Sequence, residues 1–263
     1  MKKCSADAGD ETDDPAESGL RTLVRKPTDD GSAQQPKGKE QDNMPGRTIA
    51  IGDIHGCALA LGSLLDVIRP QPNDAIVTLG DYINRGPDSR GVLNRLIALD
   101  EQCRLIPLLG NHEQMLLEAR MGIHPTTWLG MGGIATLASY GNGRDLAVIP
   151  ESHFAFLESC LDYHETNTHI FVHASYDPGL PMDEQSNLML RWESLRDTIP
   201  ARHHSGKTVI VGHTAQRSGK VLDLGYLKCI DTHCWGGGWL TALDVDAGEL
   251  WQADEAGRLR MAT

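Results

Sequence analysis

From Arg47 onward the chain alternates short apolar runs with stretches of helical spacing. TIAI (48–51), AIVTL (75–79), LIPLL (105–109), HIFV (169–172) and TVIV (208–211) are each four or five residues long, and most are rich in Ile and Val. Runs that are continuous rather than alternating suit strands covered on both faces. Helical spacing marks ALALGSLLDVI (58–68), SRGVLNRLIAL (89–99) and HEQMLLEARM (112–121). That alternation predicts a layered α/β domain. After Gly219 the character changes. KVLDLG, YLKCIDT, WLTALDVDAG and ELWQAD, separated by Gly and Asp, predict an antiparallel β ending. No internal repeat is present.

Residues 1–46 break the pattern. They are polar, rich in Asp, Glu, Gly, Pro and Gln, and contain no aromatic residue. Such a segment cannot offset the entropy of ordering, so a disordered N-terminal extension is expected, with Met44 opening the folded part and residues 47–263 forming one domain. The first 43 residues read as dispensable. No apolar run approaches the roughly 18 residues of a membrane span, and the leading lysines have no apolar stretch behind them. The expectation is a cytoplasmic protein without a membrane partner. Six cysteines at 4, 57, 103, 160, 229 and 234 show no framework spacing and read as reduced thiols, Cys57 as a buried small residue. A net charge of −12 excludes broad nucleic-acid binding. It also disfavours an anionic substrate, unless bound cations reverse the local field.

The residues directly after the five apolar runs restore that possibility. The runs lead into GDIHG, GDYINRG, GNHE, HA and GH. Sites in layered α/β folds gather at the carboxyl ends of strands. Asp53 and His55, two apart, share one face of an extended segment. The collected set is Asp53, His55, Asp81, Asn111, His173 and His213. This mixture of carboxylate, amide oxygen and imidazole suits Mn²⁺, Fe²⁺, Zn²⁺ or Ni²⁺, with Mn²⁺ favoured, and needs no thiolate. Six ligands exceed one open catalytic site but fit two ions sharing a carboxylate.

As an ordered set, GDIHG, GDYINRG, GNHEQM, FVHA, VGHT and CIDTHCWGGGWLTAL resemble the phosphoprotein phosphatase family of calcineurin-like metallophosphoesterases, in its bacterial and bacteriophage branch. The resemblance spans Ile51 to Leu243. It implies an α/β fold, a layered β-sandwich flanked by helices, with Asp53, His55 and Asp81 on a first metal and Asp81, Asn111, His173 and His213 on a second. It further implies direct attack on phosphorus by a metal-bridging hydroxide. Arg85 would grip phosphate as a fork of donors, Asn111 would also touch substrate, and His112 would protonate the departing oxygen. A second phosphate arginine is expected at Arg191, with Arg196 the alternative.

One residue departs from the pattern. Asn84 stands in GDYINRG where the family's protein phosphatases carry an aspartate that pairs with the histidine matching His112. An asparagine is expected to accept a hydrogen bond through its amide oxygen and orient the ring, without supplying charge. A weaker acid costs more for a serine alkoxide than for a tyrosine phenolate, whose parent pKa is about 10. The reading is therefore a phosphoprotein or phosphopeptide phosphatase skewed toward phosphotyrosine and aryl phosphates. The alternatives are a symmetrical dinucleotide polyphosphate hydrolase, for which no basic cluster is evident, and a phosphoprotein-binding module weakened at Asn84. HPTTWLGMGGIATLASYG (124–141) resembles the family's variable cap, although an aromatic stripe of this kind also serves as core. GGGWL (236–240) reads as a tight turn into a strand. The remaining histidines, 124, 153, 164, 169, 203, 204 and 233, have no motif support.

Overall fold

The structure, a computed structural model, describes residues 46–141 and 145–260. The disorder expected of the leading segment lies outside the described residues. The first half alternates as its hydrophobic pattern requires: β1 (Thr48–Ile51), α1 (Ala58–Ile68), β2 (Ala75–Thr78), α2 (Ser89–Asp100), β3 (Arg104–Pro107) and α3 (Asn111–Arg120). The segment resembling a cap forms α4 (Pro125–Trp128), a wide turn over Leu129–Gly133 and α5 (Ile134–Ser139). Next come α6 (Glu151–Glu158), β4 (Tyr163–Glu165), β5 (His169–Val172), α7 (Asn187–Arg191) and β6 (Thr208–Val211). The chain ends with β7 (Leu222–Asp223), β8 (Leu227–Cys229), β9 (Asp231–Thr232), β10 (Trp239–Asp244) and β11 (Leu250–Ala253).

Two mixed sheets result, one ordered β11-β10-β1-β2-β3 with β9 beside β10, the other β4-β5-β6-β8-β7. The apolar runs are continuous because each strand is covered twice. Ile49 and Ile51 join the cluster under α1 and α2, while Ala50 between them joins Val77, Ile106, Phe171, Ile210 and Ile230 in the layer between the sheets. Each fully buried Ile or Phe of that layer contributes about 1.5–3 kcal/mol. The outer face of the second sheet is covered by Tyr176, Met182 and Leu190. This is the layered sandwich expected, in a single α/β domain.

Two details differ from the sequence reading. The ending is not one antiparallel unit: β8 pairs parallel with β6, and the chain then crosses through Ile230 into the first sheet, where β9 and β11 flank β10. The crossing is possible because Ile230 is apolar enough to lie between the sheets while its N–H still bonds Val211 O at 2.9 Å. The edge strand β4, with sequence YHE, is too short and polar to register as an apolar run. The GGGWL turn is as expected, with Gly237 at φ 91 and β10 starting at Trp239. Five cysteines among the described residues are free thiols, and Cys57 is fully buried.

Candidate metal centre and active site

β1, β2 and β3 are parallel, as are β5 and β6, so the loops after each set leave at one end. The loop after β2 is shaped by Glu113, which sequence reading passed over. Its buried carboxylate accepts the N–H groups of Asp81 (2.7 Å), Tyr82 (2.8 Å), Ile83 (3.2 Å) and Gly110 (3.2 Å). One side chain therefore caps α3 and holds the 81–83 loop against it. Burial, and then the charge of Asp81, push this carboxyl up to about 8, against the pull of the backbone donors. The signal was present as Gly110 with Glu113 three residues later.

Asp81 is the centre of the site. Its Oδ2 lies 3.3 Å from His55 Nε2 and 3.9 Å from His112 Nε2, and its Oδ1 lies 3.5 Å from His173 Nε2. Asp81 thus belongs to two clusters, one with His55 and His112, the other with His173 and His213. Asn111 Oδ1 lies 3.2 Å from His173 Nε2, which in turn lies 3.2 Å from His213 Nδ1. Asp53 sits behind, where both carboxylate oxygens accept the His213 N–H at 3.0 Å, and it shares a hydrogen bond with Asp231. Glycine is required in two places: a Cβ at Gly212 would lie 2.1 Å from Asp53 Oδ1, and one at Gly110 2.3 Å from Asp81 Oδ1.

The imidazoles are oriented as metal ligands are. His55 Nδ1 faces Ile83 O at 2.9 Å and His173 Nδ1 faces Leu79 O at 2.6 Å, while His213 Nε2 faces Trp192 O at 3.1 Å. A carbonyl only accepts, so each ring gives its proton there and turns a bare nitrogen inward. Burial keeps the rings neutral: it pushes His55 well below its ordinary value, His173 to about 4 and His213 to about 3. Burial likewise raises the acids, Asp81 to about 7, Asp231 to about 6, and Asp53 well above its ordinary value. Inward lone pairs on His173 and His213, 3.2 Å apart, repel unless a cation lies among them. The donor set therefore fits divalent ions.

His112 is arranged differently. Its Nε2 is buried and has no hydrogen-bond partner, and its Nδ1 lies 2.7 Å from Asn84 Nδ2. The expected bond through the amide oxygen is not made; that oxygen accepts the Thr136 hydroxyl at 2.8 Å. Burial, then the neighbouring His55 ring and the charge of Arg85, push the His112 imidazole far down. Arg85 Nη1 donates to His55 Nε2 at 3.0 Å, and its guanidinium carbon stands 4.9 Å from the Trp235 ring centre, a cation–π contact. Trp235 and Asp231 both lie in CIDTHCWGGGWLTAL, whose side chains the sequence reading left without roles. Arg191 is buried, with Nη2 paired to Asp162, Nη1 on Gln114 Oε1 at 3.2 Å and Nε without a partner. Two of its three nitrogens are engaged within the protein, so it does not present the free fork expected for phosphate. Arg196 is exposed and donates to Ala215 O at 2.9 Å.

Backbone strain concentrates at the same place. Among the described residues, eight non-glycine residues have positive φ, and five of them are His55, Asp81, Asn84, Arg85 and His213. Such conformations persist only where surrounding structure enforces them, and they gather at active sites.

A sandwich whose parallel strands deliver carboxylates, neutral imidazoles and an arginine to one rim defines a metallophosphoesterase, a hydrolase with a two-ion site. Comparison with known proteins agrees: residues 46–246 match the calcineurin-like phosphoesterase family, and the chain belongs to it. Serine/threonine-protein phosphatase 1 of Salmonella typhimurium is 33% identical over 199 residues, covering 73% of this chain and 88% of that protein. The symmetrical bis(5'-nucleosyl)-tetraphosphatase of Acidovorax sp. is 51% identical, but over 73 residues, 27% of this chain and 25% of that protein. Among solved structures, a candidate diadenosine tetraphosphatase superposes with TM-score 0.61 at 25% identity, covering 80% of this chain and 94% of its own. The cold-active protein-tyrosine phosphatase of a psychrophilic Shewanella superposes at 0.59 over 90% of this chain and 88% of its own, with 18% identity, a likeness of fold. No helix among the described residues is long and apolar enough to cross a membrane.

Proposed function

We propose that this chain is a cytoplasmic phosphoprotein phosphatase that hydrolyses phosphomonoesters, with turnover skewed toward phosphotyrosine and aryl phosphates. The observation that carries the reading is His112: a buried imidazole with an unpartnered Nε2 beside Asp81, and an amide rather than a carboxylate behind it. Coverage of most of the Salmonella phosphatase, against a quarter of the tetraphosphatase, favours a protein substrate.

In this reading Asp53, His55 and Asp81 would hold one divalent ion and Asp81, Asn111, His173 and His213 a second, Mn²⁺ being the proposed metal. When bound, such ions supply Lewis-acid charge at the phosphate and lower the pKa of water. The chain's own residues do the rest. Arg85, steadied over Trp235, binds phosphate oxygens once it leaves His55. Asn111 touches the same phosphate. Arg191 adds positive charge near His173, whose pKa it lowers. His112 Nε2 offers a hydrogen bond to the leaving oxygen. Asn84 gives His112 no carboxylate with which to stabilise an imidazolium, so a phenolate, needing little protonation, departs more readily than an alkoxide.

The test is a turnover panel of phosphoserine, phosphothreonine and phosphotyrosine peptides and diadenosine tetraphosphate, run with Mn²⁺, Zn²⁺, Ni²⁺ and Mg²⁺. Preference for phosphotyrosine supports the proposal; preference for phosphoserine removes the skew. A second reading, dinucleotide polyphosphate hydrolysis, is favoured by the candidate tetraphosphatase structure and wins if diadenosine tetraphosphate is turned over fastest. Absence of hydrolysis with every ester and ion would leave a binding module.

A further inference from the structure

The amide of Asn84 is held by more than the ring it faces. The backbone N–H of Asn84 donates to Thr136 Oγ1 at 2.9 Å and approaches Ser89 Oγ at 3.2 Å, and the two hydroxyls lie 3.1 Å apart. Asn84, Ser89, His112 and Thr136 are all buried to 0% exposure, so each hydroxyl proton behind the ring needs an acceptor inside this group, whereas His112 Nε2 lies on the other side of the ring, facing Asp81 Oδ2 at 3.9 Å. Thr136 comes from α5 and Ser89 from the first turn of α2, so two helices outside the strand-end loops converge behind His112.

One arrangement places every hydroxyl proton. Ser89 O–H donates to Thr136 Oγ1, Thr136 O–H donates to Asn84 Oδ1, and the Asn84 amide nitrogen donates to His112 Nδ1. With the amide reversed, its nitrogen would donate to Thr136, Thr136 would have to turn its proton to Ser89, and the Ser89 proton would face no acceptor in the group. A buried donor left without a partner costs the full desolvation of that group. The hydroxyl pair therefore selects which end of the amide meets the imidazole. Because an amide N–H must meet a lone pair, it also selects the tautomer, with the ring proton at Nε2.

We propose that Thr136, backed by Ser89, is a positioning residue that fixes the amide of Asn84 with its nitrogen toward His112 and so keeps the His112 ring proton on Nε2, facing the metal site. His112 then presents an N–H to the leaving oxygen as a neutral donor. This deepens the function proposed above and rests on it only for the consequence in catalysis; the tautomer itself does not depend on any substrate.

The experiment is long-range ¹H–¹⁵N correlation on the full chain labelled at histidine nitrogens, metal-free and with Zn²⁺, with His112→Gln assigning the resonance. Wild type is expected to show the Nε2–H tautomer at His112; the Nδ1–H tautomer in wild type overturns the proposal. Thr136→Val, which keeps the volume and removes the hydroxyl, is expected to populate Nδ1–H, and Thr136→Ser to restore Nε2–H. An unchanged tautomer in folded Thr136→Val also overturns it. Should that variant not fold, Thr136→Ala, which removes the same hydroxyl from helix α5, carries the test, and unchanged tautomer populations there count against the proposal. On aryl phosphate, Thr136→Val is expected to lose about 3- to 10-fold in kcat, the worth of one neutral hydrogen bond, with little change in KM. If the tautomer responds as stated and no phosphate ester is hydrolysed, the positioning role stands and the phosphatase reading falls.

Discussion

The two halves of the site are built by different means. The half that comes from the first sheet, with Asp53, His55, Asp81, Asn111 and His112, lies on two loops and the first turn of α3, held by contacts among themselves. Glu113 gathers four backbone N–H groups, and left-handed residues at 55, 81, 84 and 85 turn the chain sharply. The half from the second sheet has two histidines, His173 and His213, each on its own strand end. They are placed by contacts that cross between the sheets: His173 Nδ1 on Leu79 O, and the His213 N–H on the carboxylate of Asp53. The first half is set by its loops. The second is set by the packing of Phe171 and Ile210 against Ala50 and Val77.

The largest effect belongs to the residue both halves share. Asp81→Ala is expected to abolish hydrolysis, by on the order of 10³-fold or more, and to lower ion stoichiometry in mass spectrometry under native conditions. Retention of both ions would break the picture of one carboxylate joining two clusters. Glu113→Gln comes next. It places a donor among four N–H groups and should weaken ion binding about 10- to 100-fold, chiefly through the first half, as titration calorimetry would resolve. Ile210→Ala should act the other way. A cavity between the sheets costs about 2–5 kcal/mol of stability and should weaken the His173 and His213 side first. Equal weakening of both ions by these two variants would erase the distinction.

The metal-free protein should also respond to pH in a defined window. The imidazoles of His55, His112, His173 and His213 are lowered, so their contribution to stability is present above about pH 6.5 and lost as pH falls. Asp81 and Glu113 are raised, to about 7 and about 8, so their contribution is present at low pH and lost as pH rises through those values. Below about 6.5 the two sets oppose each other; above it only the acids titrate. Thermal midpoints of the metal-free chain should therefore fall between pH 6.5 and 8.5, and added divalent ion should raise them most at the upper end. A flat profile would contradict these assignments. The smallest effect is expected at Asn84→Asp, about 3- to 10-fold in favour of alkyl over aryl phosphates, compared as kcat on matched phosphoserine and phosphotyrosine peptides.

The same division explains what was legible in the chain. GDIHG, GDYINRG and GNHE could be read because a loop that places its own ligands must carry them, with its glycines, within a few residues. His173 and His213 could be found only as single histidines after apolar runs. Their bracing partners Leu79 and Trp192 contribute backbone carbonyls, which have no sequence signature. Thr136 was out of reach for a different reason: it lies 52 residues from Asn84 on a helix that looked like cap or core. The strand alternation was plain because both faces are covered. The crossing at Ile230 was not, because an antiparallel ending and one divided between two sheets share the same local pattern.

The left-handed turn of the chain at Asn84, φ 71, narrows what can ever replace this residue. Aspartate, asparagine and histidine are the side chains that tolerate that region best after glycine, whereas branched ones are strained there. Neutral drift at the position is thereby funnelled into exchanges between an acid and its amide, which alter charge while leaving the fold alone. Under the proposed function, leaving-group preference becomes a trait that a single base change in the gene can retune.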